Sequence, residues 1–95
     1  MSGTIRRSVT IINQKGLHAR ASAKLAKLAL TLPATVNLSH AGETADARSI
    51  MDLLCLGASC GDAVALSAEG EGASEAMDSV LELFMTGFGE LDDQA

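Results

Sequence analysis

The apolar residues change period along this chain, and the order of those changes leaves few folds open. From Arg6 to Ile12 the side chains alternate, with Arg7, Val9 and Ile11 on one face and Ser8, Thr10 and Ile12 on the other. That run, rich in β-branched residues, predicts a strand. From Ala19 to Leu32 the period becomes helical, and Ala21, Leu25, Leu28, Ala29 and Leu32 form a core stripe that Pro33 ends. Alternation returns over Ala34–Ser39, and after a His40-Ala41-Gly42-Glu43 turn a short strand follows over Thr44–Ala47. Ser49–Leu54 predicts a short helix capped by Ser49, with Asp52 at its third position. Ala63–Glu69 alternates again, and Ala73–Thr86 is an amphipathic helix that Gly87 can terminate.

Strand, helix, strand, strand, short helix, strand, helix is the signature of an α+β sandwich, an antiparallel sheet covered on one side by helices. The first helix joins two strands too far apart in sequence to form a hairpin, so a third strand, most naturally Ala63–Glu69, is expected between them. With 95 residues there is room for one core, and we expect a single domain over 1–95, structured from about 5 to 90 with loose ends.

Composition removes several functions. No apolar run approaches the ~20 residues that span a bilayer, so membrane insertion is not expected. No basic-then-apolar leader opens the chain, which predicts a cytoplasmic protein with Cys55 and Cys60 reduced, as packing residues rather than redox centres. Phe84 and Phe88 are the only aromatic residues and the net charge is −5, a poor match to nucleic acid. Two cysteines and two histidines, His18 and His40, lie too scattered for a metal centre. Charge is unevenly spread, however. Arg6, Arg7, Lys15, Arg20, Lys24 and Lys27 precede every acid, and from Glu43 onward Arg48 is the lone basic residue. That pattern fits a local basic surface on an acidic body, suited to an anionic ligand or acidic partner.

The chemistry concentrates in Lys15-Gly16-Leu17-His18-Ala19-Arg20, which sets a histidine where a loop becomes a helix. A helix start presents unpaired N–H groups and partial positive charge, which disfavour imidazolium and favour a nearby phosphate. A neutral imidazole there is a nucleophile, and Arg20 can reach the oxygens of a phosphoryl group placed on it. Gly16 lets the loop turn sharply. Nearby sequence offers His18 neither a metal partner nor the paired acid and nucleophile of acyl transfer.

Ile12-Asn13-Gln14-Lys15-Gly16-Leu17-His18-Ala19-Arg20 resembles the active-site segment of the HPr family, the histidine phosphocarriers of the bacterial phosphotransferase system. Ala47-Arg48-Ser49-Ile50-Met51-Asp52-Leu53-Leu54 is similar to that family's regulatory-serine segment, and Ala76–Glu90, with Gly87-Phe88-Gly89-Glu90, to its final helix and tail. The resemblance implies an open-faced sandwich with strand order 1-4-2-3 and three helices on one face. It further implies that His18 accepts a phosphoryl group at Nδ1 from an enzyme I-type donor and passes it to a IIA-type acceptor, with Arg20 steadying it. Such a protein is a covalent intermediate rather than an enzyme, uses no cofactor, and acts as a monomer in sugar transport or nitrogen-related regulation. Ser49 corresponds to the serine that a dedicated HPr kinase/phosphorylase modifies in some members, although capping alone explains a serine there. One departure stands out: the family commonly has proline where this chain has Ala21.

Six residues cannot easily bury all of Ile50, Met51, Leu53 and Leu54 on one helix face. An apolar patch of Ile50, Met51 and Leu54 flanked by Arg20, Lys24, Lys27 and Arg48 is therefore the expected docking surface. The alternative reading is a regulatory domain that docks a kinase or transcription regulator through the same surface without phosphoryl relay. A small-ligand-binding α+β domain has less support, since no pocket motif occurs.

Overall fold

The computed structural model describes residues 3–91. Its elements run β1 (Thr4–Thr10), α1 (Ala19–Ala29), β2 (Thr35–His40), β3 (Glu43–Asp46), α2 (Ile50–Cys55), β4 (Ala63–Glu69) and α3 (Ala73–Met85), with a 3-10 turn at Gly87–Gly89. The strands form one sheet ordered β1-β4-β2-β3, antiparallel throughout. β4 thus lies between β1 and β2, as the connection through α1 demands. Val36, Leu38, Ala45, Val64, Leu66 and Ala68 point from one face of the sheet into the core, while Thr35, Ser39, Ala63, Ala65 and Glu69 lie exposed on the other. The result is the open-faced α+β sandwich, with its helices gathered over the apolar face.

Element type follows the sequence periods; element ends are set by pairing. β1 starts at Thr4, two residues before the alternation predicts, because β4 supplies partners along its whole length from Thr4↔Glu69 to Thr10↔Ala63. Beyond Thr10 the ladder turns irregular: Ile11 N–H donates to Asp62 O at 2.9 Å, and Ile11 O accepts from Gly61 N–H at 2.8 Å. The expected loose ends fall partly on residues 1–2 and 92–95, outside the described residues, whereas Thr4 belongs to the sheet. α1 stops at Ala29 rather than Leu32, since Thr31 and Leu32 donate to carbonyls three residues back and tighten the last turn before Pro33. α3 ends at Met85, and Gly87 at φ +62 turns the chain as a left-handed terminator.

The core draws on both sheet and helices. Ala21, Leu25, Ala26 and Ala29 of α1, and Ala73, Ala76, Met77, Val80 and Phe84 of α3, are buried. Phe84 meets Phe88 edge to face with ring centroids 4.9 Å apart, and both rings are fully buried. Burying one such side chain is worth about 1.5–3 kcal/mol. That anchorage holds Phe88 at φ +57, a left-handed conformation costing an L-residue about 1–2 kcal/mol. The tail after α3 is therefore pinned to the body.

Candidate active site

His18 is the N-cap of α1, with extended backbone at φ −77 and ψ −176. Two contacts hold the loop that delivers it. Leu17 is buried and its N–H donates to Ala58 O at 3.1 Å, while Ser22 Oγ donates back to Leu17 O at 3.1 Å. Gly16 sits at φ +60 with the α2–β4 connection pressed against it: a Cβ there would lie 2.5 Å from Ala58 O and 2.8 Å from Ser59 Cα. Glycine is required twice over, for the turn and for the close approach.

The imidazole, 23% exposed, lies across the helix mouth. Its Nδ1 accepts the N–H of Ala21 at 3.2 Å. An accepting Nδ1 carries a lone pair and no proton, so the ring hydrogen belongs to Nε2. On that side Glu90 Oε2 approaches to 3.1 Å. The approach is too far off the N–H axis to make a hydrogen bond, and Oε2 is a buried oxygen without one among the described residues. Arg20 Nε also lies 3.7 Å from it. Oε1 of the same carboxylate accepts from Asn13 Nδ2 at 3.1 Å, and Asn13 Nδ2 also donates to Gly16 O at 2.8 Å. The ring is thus flanked by helix N–H at Nδ1 and carboxylate at Nε2, which selects the tautomer with an unprotonated, nucleophilic Nδ1. His18, Arg20, Asn13 and Glu90 form one cluster drawn from the β1–α1 loop, α1 and the tail.

Ser49 caps α2 as expected, its Oγ accepting from Asp52 N–H at 3.2 Å. Of the four apolar residues near the start of α2, Leu53 is buried, while Ile50, Leu54 and Met51 are exposed, Met51 by 69%. The basic residues are not equivalent. Arg20 and Lys27 are exposed. Arg48 is gripped by Asp46, with Nε–Oδ1 at 3.1 Å and Nη2–Oδ2 at 2.9 Å. The side-chain hydrogen bond from Arg48 is the main cause that holds the Asp46 carboxyl below its ordinary value, followed by the Arg48 N–H. Lys24 is half-buried, and its Nζ donates to Phe88 O at 2.6 Å. Expected on the docking surface, it has its ammonium engaged with the tail.

A family model described as the PTS HPr component phosphorylation site matches residues 5–86. The chain belongs to the HPr family. The phosphocarrier protein HPr of Cupriavidus necator is 46% identical over 86 residues, spanning 90% of this chain and 97% of that protein. The phosphocarrier protein NPr of Shewanella violacea is 37% identical over 86 residues, spanning 90% and 94%. The crystal structure of HPr from Thermoanaerobacter tengcongensis superposes with a TM-score of 0.86 at 34% identity, covering 90% of this chain and 97% of that one.

In this HPr-family chain the departure at Ala21 has a chemical consequence. A proline there would have no N–H to give, so the bond to His18 Nδ1 exists because the residue is alanine. Sequence reasoning missed Asn13 and Glu90. Asn13 read as one polar residue of a loop, and Glu90 lies far along the chain, with the tail resemblance its only signal. The reading of the cysteines as packing residues is also corrected: Cys55 and Cys60 are both exposed thiols. His40 differs from His18 in being braced at the end of β2, its Nδ1 3.0 Å from Leu56 O and its Nε2 3.1 Å from Asp62 Oδ2. Among the described residues no three of His, Cys, Asp or Glu gather as metal ligands, and no helix is long and apolar enough to cross a membrane.

Proposed function

We propose that this protein is a histidine phosphocarrier of a phosphotransferase system, with His18 Nδ1 as the atom that carries the phosphoryl group. The observation that carries this reading is the orientation of the ring, with its Nδ1 lone pair at the positive end of α1 and its Nε2 hydrogen beside Glu90. In the forward step the lone pair attacks phosphorus on the phosphohistidine of an enzyme I-type donor. The Nδ1–P bond forms as the donor's P–N bond breaks, and the donor ring leaves with the electron pair. The Nε2 proton stays in place, so the phosphorylated ring carries positive charge that the Glu90 carboxylate offsets. The Ala21 N–H is then free to donate to a phosphoryl oxygen, and the Arg20 guanidinium supplies further donors. In the second step a nucleophile on a IIA-type acceptor attacks phosphorus. The electron pair returns to Nδ1, and because Nε2 is already protonated the leaving group is neutral imidazole rather than an imidazolate.

Exposed Ile50, Met51 and Leu54 with Arg20 and Lys27 serve as the docking surface for both partners. Ser49 is the regulatory phosphorylation site for an HPr kinase/phosphorylase, where added charge beside Asp46 and Asp52 repels an acidic partner. The alternative, a docking domain without relay, leaves the tautomer-selecting cluster around His18 without a purpose.

The test is incubation with phosphoenolpyruvate and an enzyme I-type donor, followed by intact mass under alkaline handling. The reading expects a mass gain of one phosphoryl group that disappears in acid and is absent in His18→Ala. A docking domain would show no gain and would keep its partner affinity in that variant.

A further inference from the structure

The tail that carries Glu90 to His18 is itself clamped by α1. Lys24 Nζ donates to the Phe88 carbonyl at 2.6 Å, a short charge-assisted hydrogen bond. A Cβ on Gly89 would lie 3.4 Å from the same ammonium, so Lys24 covers the backbone between Phe88 and Glu90. On the inner side the Phe88 ring is buried against Phe84. The tail is thus held by an apolar anchor within and a cation on its carbonyl. Two residues beyond that carbonyl, the Glu90 carboxylate reaches Asn13 Nδ2 and His18 Nε2.

We propose that Lys24 is a positioning residue for the phosphoryl chemistry. By clamping the Phe88 carbonyl it sets the Glu90 carboxylate against Nε2, and so keeps the proton there and the Nδ1 lone pair available. What that lone pair does rests on the phosphocarrier reading; the link from clamp to tautomer does not. A lysine serving only as docking charge would act on KM for the partner protein. A positioning residue acts on kcat, and on the imidazole of the isolated protein.

The experiment records 15N shifts of the His18 ring nitrogens, at a pH where the ring is neutral, for the native protein and for Lys24→Met, Lys24→Arg, Glu90→Ala and the Lys24→Met/Glu90→Ala double variant. Phosphoryl transfer from a phosphoenolpyruvate-charged donor is measured on the same set. The native ring is expected as the Nε2–H tautomer, and Lys24→Met as a mixture of tautomers with kcat lowered roughly five- to tenfold and KM little changed. Lys24→Arg should restore most of both, and the double variant should be no slower than the slower single variant, since the two residues act in series. Native 15N shifts in Lys24→Met, an effect confined to KM, or losses that multiply in the double variant would each overturn the proposal. Should Lys24→Met fail to fold, Lys24→Gln, an uncharged donor of shorter reach, gives the same readout: a partial tautomer shift supports the clamp, and unmoved nitrogens overturn it. If the native protein accepts no phosphoryl group, the carrier reading fails while the 15N shifts still decide the role of Lys24.

Discussion

Glu90 and His18 meet across the site with Oε2 3.1 Å from Nε2, on the side of the imidazole away from the helix N–H group. The buried carboxylate makes the two ring nitrogens unequal. Replacing it by Glu90→Gln removes the charge while keeping an amide group able to reach Asn13. Phosphoryl transfer is expected to slow roughly tenfold, the value of about 1.4 kcal/mol of lost charge stabilisation. Stopped-flow quench with a charged donor checks this, and circular dichroism should report an unchanged fold.

Ala21 gives the site a donor that proline would remove. Ala21→Pro should fold, since the first turn of a helix tolerates proline. Phosphohistidine in that variant should hydrolyse roughly tenfold or more faster than in the native protein, because a hydrogen bond to a charged oxygen worth about 1.5–3 kcal/mol is gone. The decay of the phosphorylated mass at neutral pH reads this directly.

Gly16 faces backbone atoms of Ala58 and Ser59 at φ +60. Gly16→Ala combines the left-handed cost of about 1–2 kcal/mol with a collision that neither backbone segment can easily relieve. Urea unfolding should show a loss of at least about 2 kcal/mol. Phosphoryl transfer should fall as well, because the same loop sets the height of His18 above the helix.

Ser49 separates capping from regulation. Ser49→Ala should cost about 1 kcal/mol of stability and leave phosphoryl transfer near native. Ser49→Asp keeps a capping oxygen and places a carboxylate at the positive helix end, so stability should be retained. Affinity for the donor should drop instead, an effect that weakens with salt. Titration calorimetry at two ionic strengths distinguishes the pair.

Asp46 makes a prediction in acid. Its carboxyl is held below the ordinary range, chiefly by the Arg48 side-chain hydrogen bond, so the unfolded chain takes up this proton at higher pH than the folded one. The stability it contributes is full above its unfolded pKa of about 3.9 and is lost as pH falls through the lower folded value. Asp46→Asn should therefore flatten the acid limb of a stability–pH curve below about pH 4, and leave the curve unchanged in shape at neutral pH.

Much of the fold was legible because period and burial coincide. Alternation over Ala63–Glu69 matches β4 to the residue, and the helical stripe through Leu25 and Ala29 is the buried face of α1. Ends were less legible, as at Thr4, where an exposed threonine is strand solely because Glu69 lies opposite. His18 and Ser49 were readable as caps from local spacing. Glu90 and Asn13 were not, since their meeting depends on the Phe88 anchor bringing the tail back across α1. Lys24 read as surface charge for the same reason: its partner is a backbone carbonyl, and a carbonyl has no sequence signature.

The most direct measurement of the central claim is 31P–15N correlation on the 15N-labelled protein after phosphorylation by its donor. The phosphorus should couple to Nδ1 of His18, with Nε2 still bearing its hydrogen. Coupling to Nε2, or phosphorus carried on any other residue after donor treatment, would contradict the account.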